Sequence, residues 1–221
     1  MSKTPLSFED LNQAYGFVLY RTRISRAGLL KVKELRDYAT VYINGKQAGV
    51  LDRRLTKDSL QLPDVPKNAV LDILVENNGR INYGPYLADN RHGITREVSL
   101  GGRAVSGWEI FSLPFADLKG WNYSGKFPKA VQPCLYRGTF RLDDVADTYL
   151  DMRKFGKGFV FLNGHNLGKY WENGPQQTIY VPAVWLNKGE NEITVFDQLK
   201  TGHTSISTLA DPILNGEGTA Q

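Results

Sequence analysis

Val41-Tyr42-Ile43-Asn44-Gly45-Lys46 and Val160-Phe161-Leu162-Asn163-Gly164-His165 carry one pattern twice. Each is a run of β-branched and aromatic residues ending in Asn-Gly. Such side chains suit a half-buried pleated surface. Asn and Gly tolerate the positive φ that both central positions of a type I′ turn require. Both stretches read as a strand entering a tight hairpin, and the second lies 119 residues after the first (Asn44 to Asn163).

The repeat extends outward from the hairpins. The same spacing places Gly49 on Gly168, and Leu60-Gln61-Leu62-Pro63 on Ile179-Tyr180-Val181-Pro182. Upstream, Leu19-Tyr20-Arg21 falls on Leu135-Tyr136-Arg137, 116 residues later (Leu19 to Leu135). Downstream, Leu71-Asp72-Ile73-Leu74-Val75 falls on Asn191-Glu192-Ile193-Thr194-Val195 with one residue added. A period this long exceeds the roughly 20–50 residues of a solenoid unit and fits a whole sandwich domain. Further strand-like runs, Gly16 to Ile24 and Gly158 to Leu162 among them, are bounded by turn residues, the mark of an all-β chain.

The expected organisation is therefore two tandem β-sandwiches of similar topology. The first covers residues 1–113, a linker rich in Gly, Pro and Lys covers 114–134, and the second covers 135–205. The stretch Trp108 to Leu113 reads as a strand that either unit could take. The tail 206–221, with its Ser, Pro and Gly, is expected to fray.

Composition excludes several classes. Of the 221 residues, 41% are apolar and 23% charged, ordinary globular usage that rules out a disordered chain. The net charge of +4 is small and scattered, which argues against nucleic acid as the partner. No apolar run approaches the ~18 residues of a membrane helix. The first residues, Met1-Ser2-Lys3-Thr4-Pro5, show no export signal, so a periplasmic or extracellular location would require this chain to be part of an exported longer enzyme. The single cysteine, Cys134, cannot form an internal disulfide and reads as a buried structural thiol.

Catalytic and metal signatures are sparse. His92, His165 and His203 stand far apart, without the close pairing of a zinc site, and His165 reads as a solvated turn residue. Asp143, Asp144 and Asp147 form the densest acidic cluster, readable as a solvated turn or as a rim calcium site. No nucleophile elbow is present. Gly156-Lys157-Gly158 opens a strand and lacks the helix a phosphate loop uses. No cofactor or metal is expected. Paired carboxylates could hydrolyse a glycosidic bond, but the sequence selects no pair among its 23 acids.

Two clusters of aromatic and amide residues are more informative. One is Asn77-Asn78-Gly79-Arg80-Ile81-Asn82-Tyr83-Gly84-Pro85-Tyr86. The other is Lys169-Tyr170-Trp171-Glu172-Asn173-Gly174-Pro175-Gln176-Gln177. Both follow strands and read as loops, where function is concentrated. Aromatic faces stack on the apolar faces of sugars, while Asn, Gln and Arg match hydroxyl patterns; the alternative is that these rings cap a sandwich or pack on a neighbouring domain.

At these residues the chain resembles the C-terminal region of family 35 glycoside hydrolases, the β-galactosidases. The first unit is similar through Tyr15-Gly16-Phe17-Val18-Leu19-Tyr20-Arg21-Thr22, Asp37 to Gly45 and Val75 to Gly84. The second is similar through Gly156 to Gly164, Leu167 to Trp171 and Gly174 to Pro182. The resemblance implies a galactose-binding-like jelly roll for each unit. It also implies a catalytic (β/α)₈ barrel elsewhere, because the family's two catalytic glutamates lie on a barrel of roughly 250 residues. No residue here inherits either role, so the chain alone is expected to be inactive. The resemblance points the loop of Arg80, Asn82 and Tyr83 toward that barrel and its galactoside substrate, with Trp171, Gln176 and Gln177 as secondary, more architectural candidates. Other expectations are self-association through an apolar barrel-facing patch and, as a competing function, a stand-alone galactoside-binding lectin-like module.

Overall fold

The computed structural model describes residues 1–118, 120, 121, 123, 133–200, 202, 203 and 205–214. The chain divides into two compact units, Met1–Ala116 and Asp117–Gln221. Most of the expected linker and the last seven residues of the tail lie outside the described residues.

The first unit holds β1 (Phe17–Ile24), β2 (Gly28–Val32), β3 (Leu35–Arg36), β4 (Tyr38–Ile43), β5 (Lys46–Asp52) and β6 (Ser59–Leu62). It continues with β7 (Ala69–Glu76), β8 (Gly93–Ile94), β9 (Val98–Leu100), β10 (Arg103–Ala104) and β11 (Glu109–Leu113). One antiparallel sheet runs β11-β1-β7-β4-β5 and a second runs β10-β9-β2-β6. Period-two alternation sends Val18, Tyr20, Val41, Leu71, Ile73, Leu30 and Leu100 into the core. Trp108, fully buried, meets the Tyr20 ring edge-on at 6.4 Å.

The second unit holds β12 (Cys134–Leu142), β13 (Thr148–Asp151), β14 (Lys157–Leu162), β15 (His165–Trp171), β16 (Thr178–Val181), β17 (Gly189–Asp197) and β18 (Thr208–Leu209). Its sheets run β12-β17-β14-β15 and β16-β13-β18. The first order is that of β1-β7-β4-β5, so the duplication read from the sequence is a duplication of topology. Its core gathers Leu150, Val160, Leu162, Tyr170, Ile179, Val181 and Val195. The Tyr170 hydroxyl donates to the Phe196 carbonyl at 2.7 Å, across Gly158. A Cβ on Gly158 would sit 1.8 Å from that same oxygen, so only glycine lets the strands close there.

The hairpins match in detail. Asn44 and Gly45 have φ of 49° and 76°, and Asn163 and Gly164 have φ of 48° and 83°. A register shift falls between Val41 and Tyr42 in one hairpin and between Val160 and Phe161 in the other, 119 residues on. Each asparagine also reaches the next strand. Asn44 Oδ1 accepts from the Val70 amide and Asn163 Oδ1 from the Glu192 amide, both at 2.8 Å.

Four expectations are corrected. Ile43 pairs with Leu71 and Leu162 with Ile193, so the third repeat element aligns Leu71 on Ile193 rather than on Asn191. A two-residue slip keeps every side chain on its own face, which is why hydrophobic pattern alone missed it. Trp108 to Leu113 is not shared, because β11 pairs with β1 in the first unit. The tail is not frayed over 206–214: β18 pairs with β13 in the position β9 takes beside β2, and Gln176 bridges Leu214. Lys169, Tyr170 and Trp171 belong to β15 rather than to a loop.

Asn163 does more than Asn44. Its Nδ2 donates to the Trp185 carbonyl at 2.7 Å and to Asn191 Oδ1 at 2.8 Å. Asn163→Ala should therefore cost about 2–3 kcal/mol and Asn44→Ala about 1 kcal/mol, from lost hydrogen bonds and the left-handed backbone. Urea unfolding of the two variants checks this ranking.

Candidate functional site

The chain leaving β7 at Glu76 does not re-enter a sheet until Gly93. Residues 77–92 form a loop whose base is fixed from several directions. Asn77 Nδ2 donates to the Ala14 carbonyl at 3.0 Å, while its Oδ1 accepts from the Gly79 amide at 2.9 Å. Ile81 and Asn90 exchange backbone and side-chain amide hydrogen bonds across the loop, at 3.4 and 3.0 Å.

Charged groups complete the clamp. Arg80 donates to the Glu9 carboxylate, and to the Asn90 carbonyl at 2.6 Å. The other Glu9 oxygen accepts from the His92 amide at 3.0 Å, so one carboxylate ties both ends of the loop. The buried His92 ring sets Nδ1 2.9 Å from Asp37 Oδ2 and Nε2 3.2 Å from Asn90 Oδ1. Asp37 also accepts from the Asn78 amide at 3.0 Å and from Arg53 at 3.1 Å. On the far side Asp89 is held by Arg91 at 2.7 Å and by Arg36 at 3.2 Å.

These partners set the acidity of the clamp. Burial alone would raise the Glu9 carboxyl, but the His92 amide and the Arg80 guanidinium outweigh it and hold it below its ordinary value. For Asp37 the same opposition holds: burial raises it, and His92, the Asn78 amide and Arg53 together hold it low. The Arg91 hydrogen bond, with Arg36 behind it, brings Asp89 to about 2.

The tip is the opposite of the base. Tyr83 is 89% exposed, Tyr86 60% and Leu87 52%. Asn82 is exposed, and its side chain has no partner among the described residues. The tip thus offers two phenol rings, an aliphatic side chain and a primary amide. It can stack on a ring and hydrogen-bond to hydroxyls, but the tip presents no carboxylate pair of the kind glycosidic hydrolysis uses.

Of the three primary candidates, Tyr83 and Asn82 lie at the tip and Arg80 is part of the clamp. The sequence reading missed Glu9, Asp37, Asn90 and His92, which support the loop. They come from positions far apart in the chain and form no local motif. Of the secondary candidates, Trp171 ends β15 with Lys157 Nζ 4.2 Å from its ring centroid. Gln177 is bound through its backbone to Ile213 and Met152, at 2.9 and 3.0 Å, and through its side chain to the Glu172 carbonyl at 3.2 Å. Gln176 is exposed and bridges Leu214. Gln176 and Gln177 tie the second unit's rim to the segment that follows β18.

Most of the remaining titratable candidates have structural partners, His203 among them with Nε2 3.3 Å from Asp197 Oδ2. Asp144 ion-pairs with Lys188 at 2.6 Å, and Asp147 accepts from the Ala183 amide at 2.8 Å. Among the described residues no group of three or more His, Cys, Asp or Glu side chains converges on a point. His165 begins β15 and stacks on Trp185 at 4.8 Å. Cys134 is half-buried rather than buried, and burial pushes its thiol up.

Comparison with known proteins bears on both units. Residues 5–114 match the family model described as the β-galactosidase first all-beta domain, and residues 133–191 match the β-galactosidase galactose-binding domain. A β-galactosidase of Xanthomonas manihotis is 44% identical over 184 residues, which span 80% of this chain and 30% of that protein. β-Galactosidase 1 of Dictyostelium discoideum is 35% identical over 89% of this chain and 33% of its own length. The chain thus spans about a third of these curated relatives. A solved Pleurotus ostreatus lectin in its apo form covers 94% of this chain and 80% of its own, at 14% identity and a TM-score of 0.29, a likeness too low to support any argument. Two matched domains in the same order, over two units of the matching all-β architecture, make this chain a member of the β-galactosidase family, of which it carries the accessory all-β and galactose-binding region.

Proposed function

We propose that this chain is a non-catalytic accessory region of a β-galactosidase acting on terminal β-galactosides. In this reading it buttresses a catalytic (β/α)₈ barrel and lends Tyr83, with Asn82 and the Arg80 support, to the rim of the barrel's substrate mouth. The observation that carries it is the loop 77–92. Its aromatic tip stands in solvent on a base whose charged groups, Glu9, Asp37, Arg80 and Asp89, are all paired. Aromatic surface held rigidly in water suits a contact outside the chain, and a pyranose ring offers the apolar face a phenol ring stacks on.

The reading is tested by splicing this chain into the Xanthomonas manihotis relative in place of the matching third. The chimera should hydrolyse p-nitrophenyl β-D-galactoside, and the isolated chain should not. Tyr83→Ala in the chimera should raise KM about five- to tenfold with kcat within about twofold, the size of one lost aromatic contact. A folded but inactive chimera, an active isolated chain, or an unmoved KM overturns it.

The clamp adds a pH dependence. Glu9 and Asp37 are more acidic in the folded chain than in the unfolded one, where ordinary values are about 4.3 and 3.9. Their contribution to stability is therefore complete above those ordinary values and is lost as pH falls through the lower folded ones. The thermal midpoint should stay level from pH 7 to about 4.5 and drop below about pH 4. Arg80→Ala should lower it at pH 7 by the equivalent of about 1 kcal/mol, since the ion pair is partly exposed, and shrink the acid-induced drop. Calorimetric scans of both proteins across that range measure it.

A further inference from the structure

An Asn-Gly step carries a chemistry besides its turn conformation. With no Cβ on the second residue, the glycine nitrogen can reach Cγ of the asparagine side chain. The N–Cγ bond forms, the Cγ–Nδ2 bond breaks, and Nδ2 leaves as ammonia with the proton that the glycine nitrogen gives up. Water then adds to the cyclic imide and opens it at either of its C–N bonds, leaving aspartate or isoaspartate. Two groups decide whether a given step reacts. The glycine N–H must be free to attack, and Nδ2 must be free to leave.

The chain has five such steps, at Asn44, Asn78, Asn163, Asn173 and Asn215, the last outside the described residues. In the other four the fold occupies these groups unequally. The Gly79 amide donates to Asn77 Oδ1 and the Gly174 amide to the Trp171 carbonyl, both at 2.9 Å, so two of the nucleophiles are engaged. At Asn163 the leaving group is held instead: Nδ2 donates to the Trp185 carbonyl at 2.7 Å and to Asn191 Oδ1 at 2.8 Å. Asn44 is exposed, and neither its Nδ2 nor the Gly45 amide has a hydrogen-bond partner among the described residues. The space around Gly45 is open, with nothing within 4 Å of a Cβ built there.

The anchoring of the turns does not separate Asn44 from Asn163. Each donates its backbone amide to the adjacent strand at 2.9 Å and accepts at Oδ1 at 2.8 Å, so this restraint is common to both. What differs is the leaving group. The two hydrogen bonds on Asn163 Nδ2 must be given up before ammonia departs, which slows that step about tenfold. We propose that Asn44 is a modification site, the position at which the folded chain deamidates ahead of Asn78, Asn163 and Asn173, with the Gly45 nitrogen as nucleophile and water as co-reactant. The aspartate product keeps a side-chain oxygen to accept from the Val70 amide. Isoaspartate instead routes the backbone through Cγ, which lengthens the turn by a methylene and takes that acceptor away. The first unit therefore carries the shorter-lived of the two turn anchors. This chemistry is independent of the barrel-mouth reading.

Ageing the 221-residue chain in mildly alkaline buffer and mapping its peptides by mass spectrometry tests the proposal, because amide-to-acid conversion is read separately at each asparagine. Asn44 should convert about tenfold faster than Asn163, and faster than Asn78 and Asn173. In a urea-unfolded sample the four rates should converge, since the hydrogen bonds that separate them are gone. Asn191→Ala removes one acceptor of Asn163 Nδ2 and should narrow the gap between Asn163 and Asn44 about threefold. Circular dichroism verifies the fold of that variant, and the wild-type ranking decides the outcome if it does not fold. Conversion at Asn78, Asn163 or Asn173 as fast as at Asn44 in the folded chain overturns the proposal. So does an Asn44 that stays intact while the unfolded sample converts, a ranking that persists in urea, or an unchanged gap in folded Asn191→Ala.

Discussion

An asparagine in a left-handed turn holds each half of this chain in register. The backbone at Asn44 and Asn163 takes a φ near +50° that most residues avoid, and the side-chain oxygen then accepts from an amide of the adjacent strand, Val70 in β7 and Glu192 in β17. A hairpin whose turn is also bonded to its neighbour cannot slide against it without breaking both contacts. From that fixed point follow the pairing of the central strands and the alternation that fills each core. The covalent order of the two units differs in little except added length, so one local solution has served twice.

Legibility in the sequence follows from this distinction between local and distant causes. The Asn-Gly turns were readable because their conformational demand lies in two adjacent residues. The Arg21 and Arg137 positions aligned because the whole strand pattern around them repeats. The Leu71 element aligned two residues wrong, since a slip of two is silent to a pattern of period two. The strand Thr208–Leu209 was unreadable: two residues beside Ser and Pro have no periodicity, and only the waiting edge of β13 makes a strand of them.

The candidate site shows the same division. Tyr83 was visible because a Gly- and Asn-rich stretch after a strong strand has to turn outward. Glu9, Asp37 and His92 were not visible, because the loop draws them from separations such as 83 and 55 residues.

The clamp beneath the 77–92 loop has a kinetic consequence. Because Glu9, Asp37, Asn90 and His92 fix both ends of the loop, its base is already ordered before anything touches the tip. A partner that met this loop would have only the short exposed span between Asn82 and Leu87 left to order, which keeps the entropic cost of association small. Under that condition orientation on collision, not folding of the loop's base, would govern the association rate.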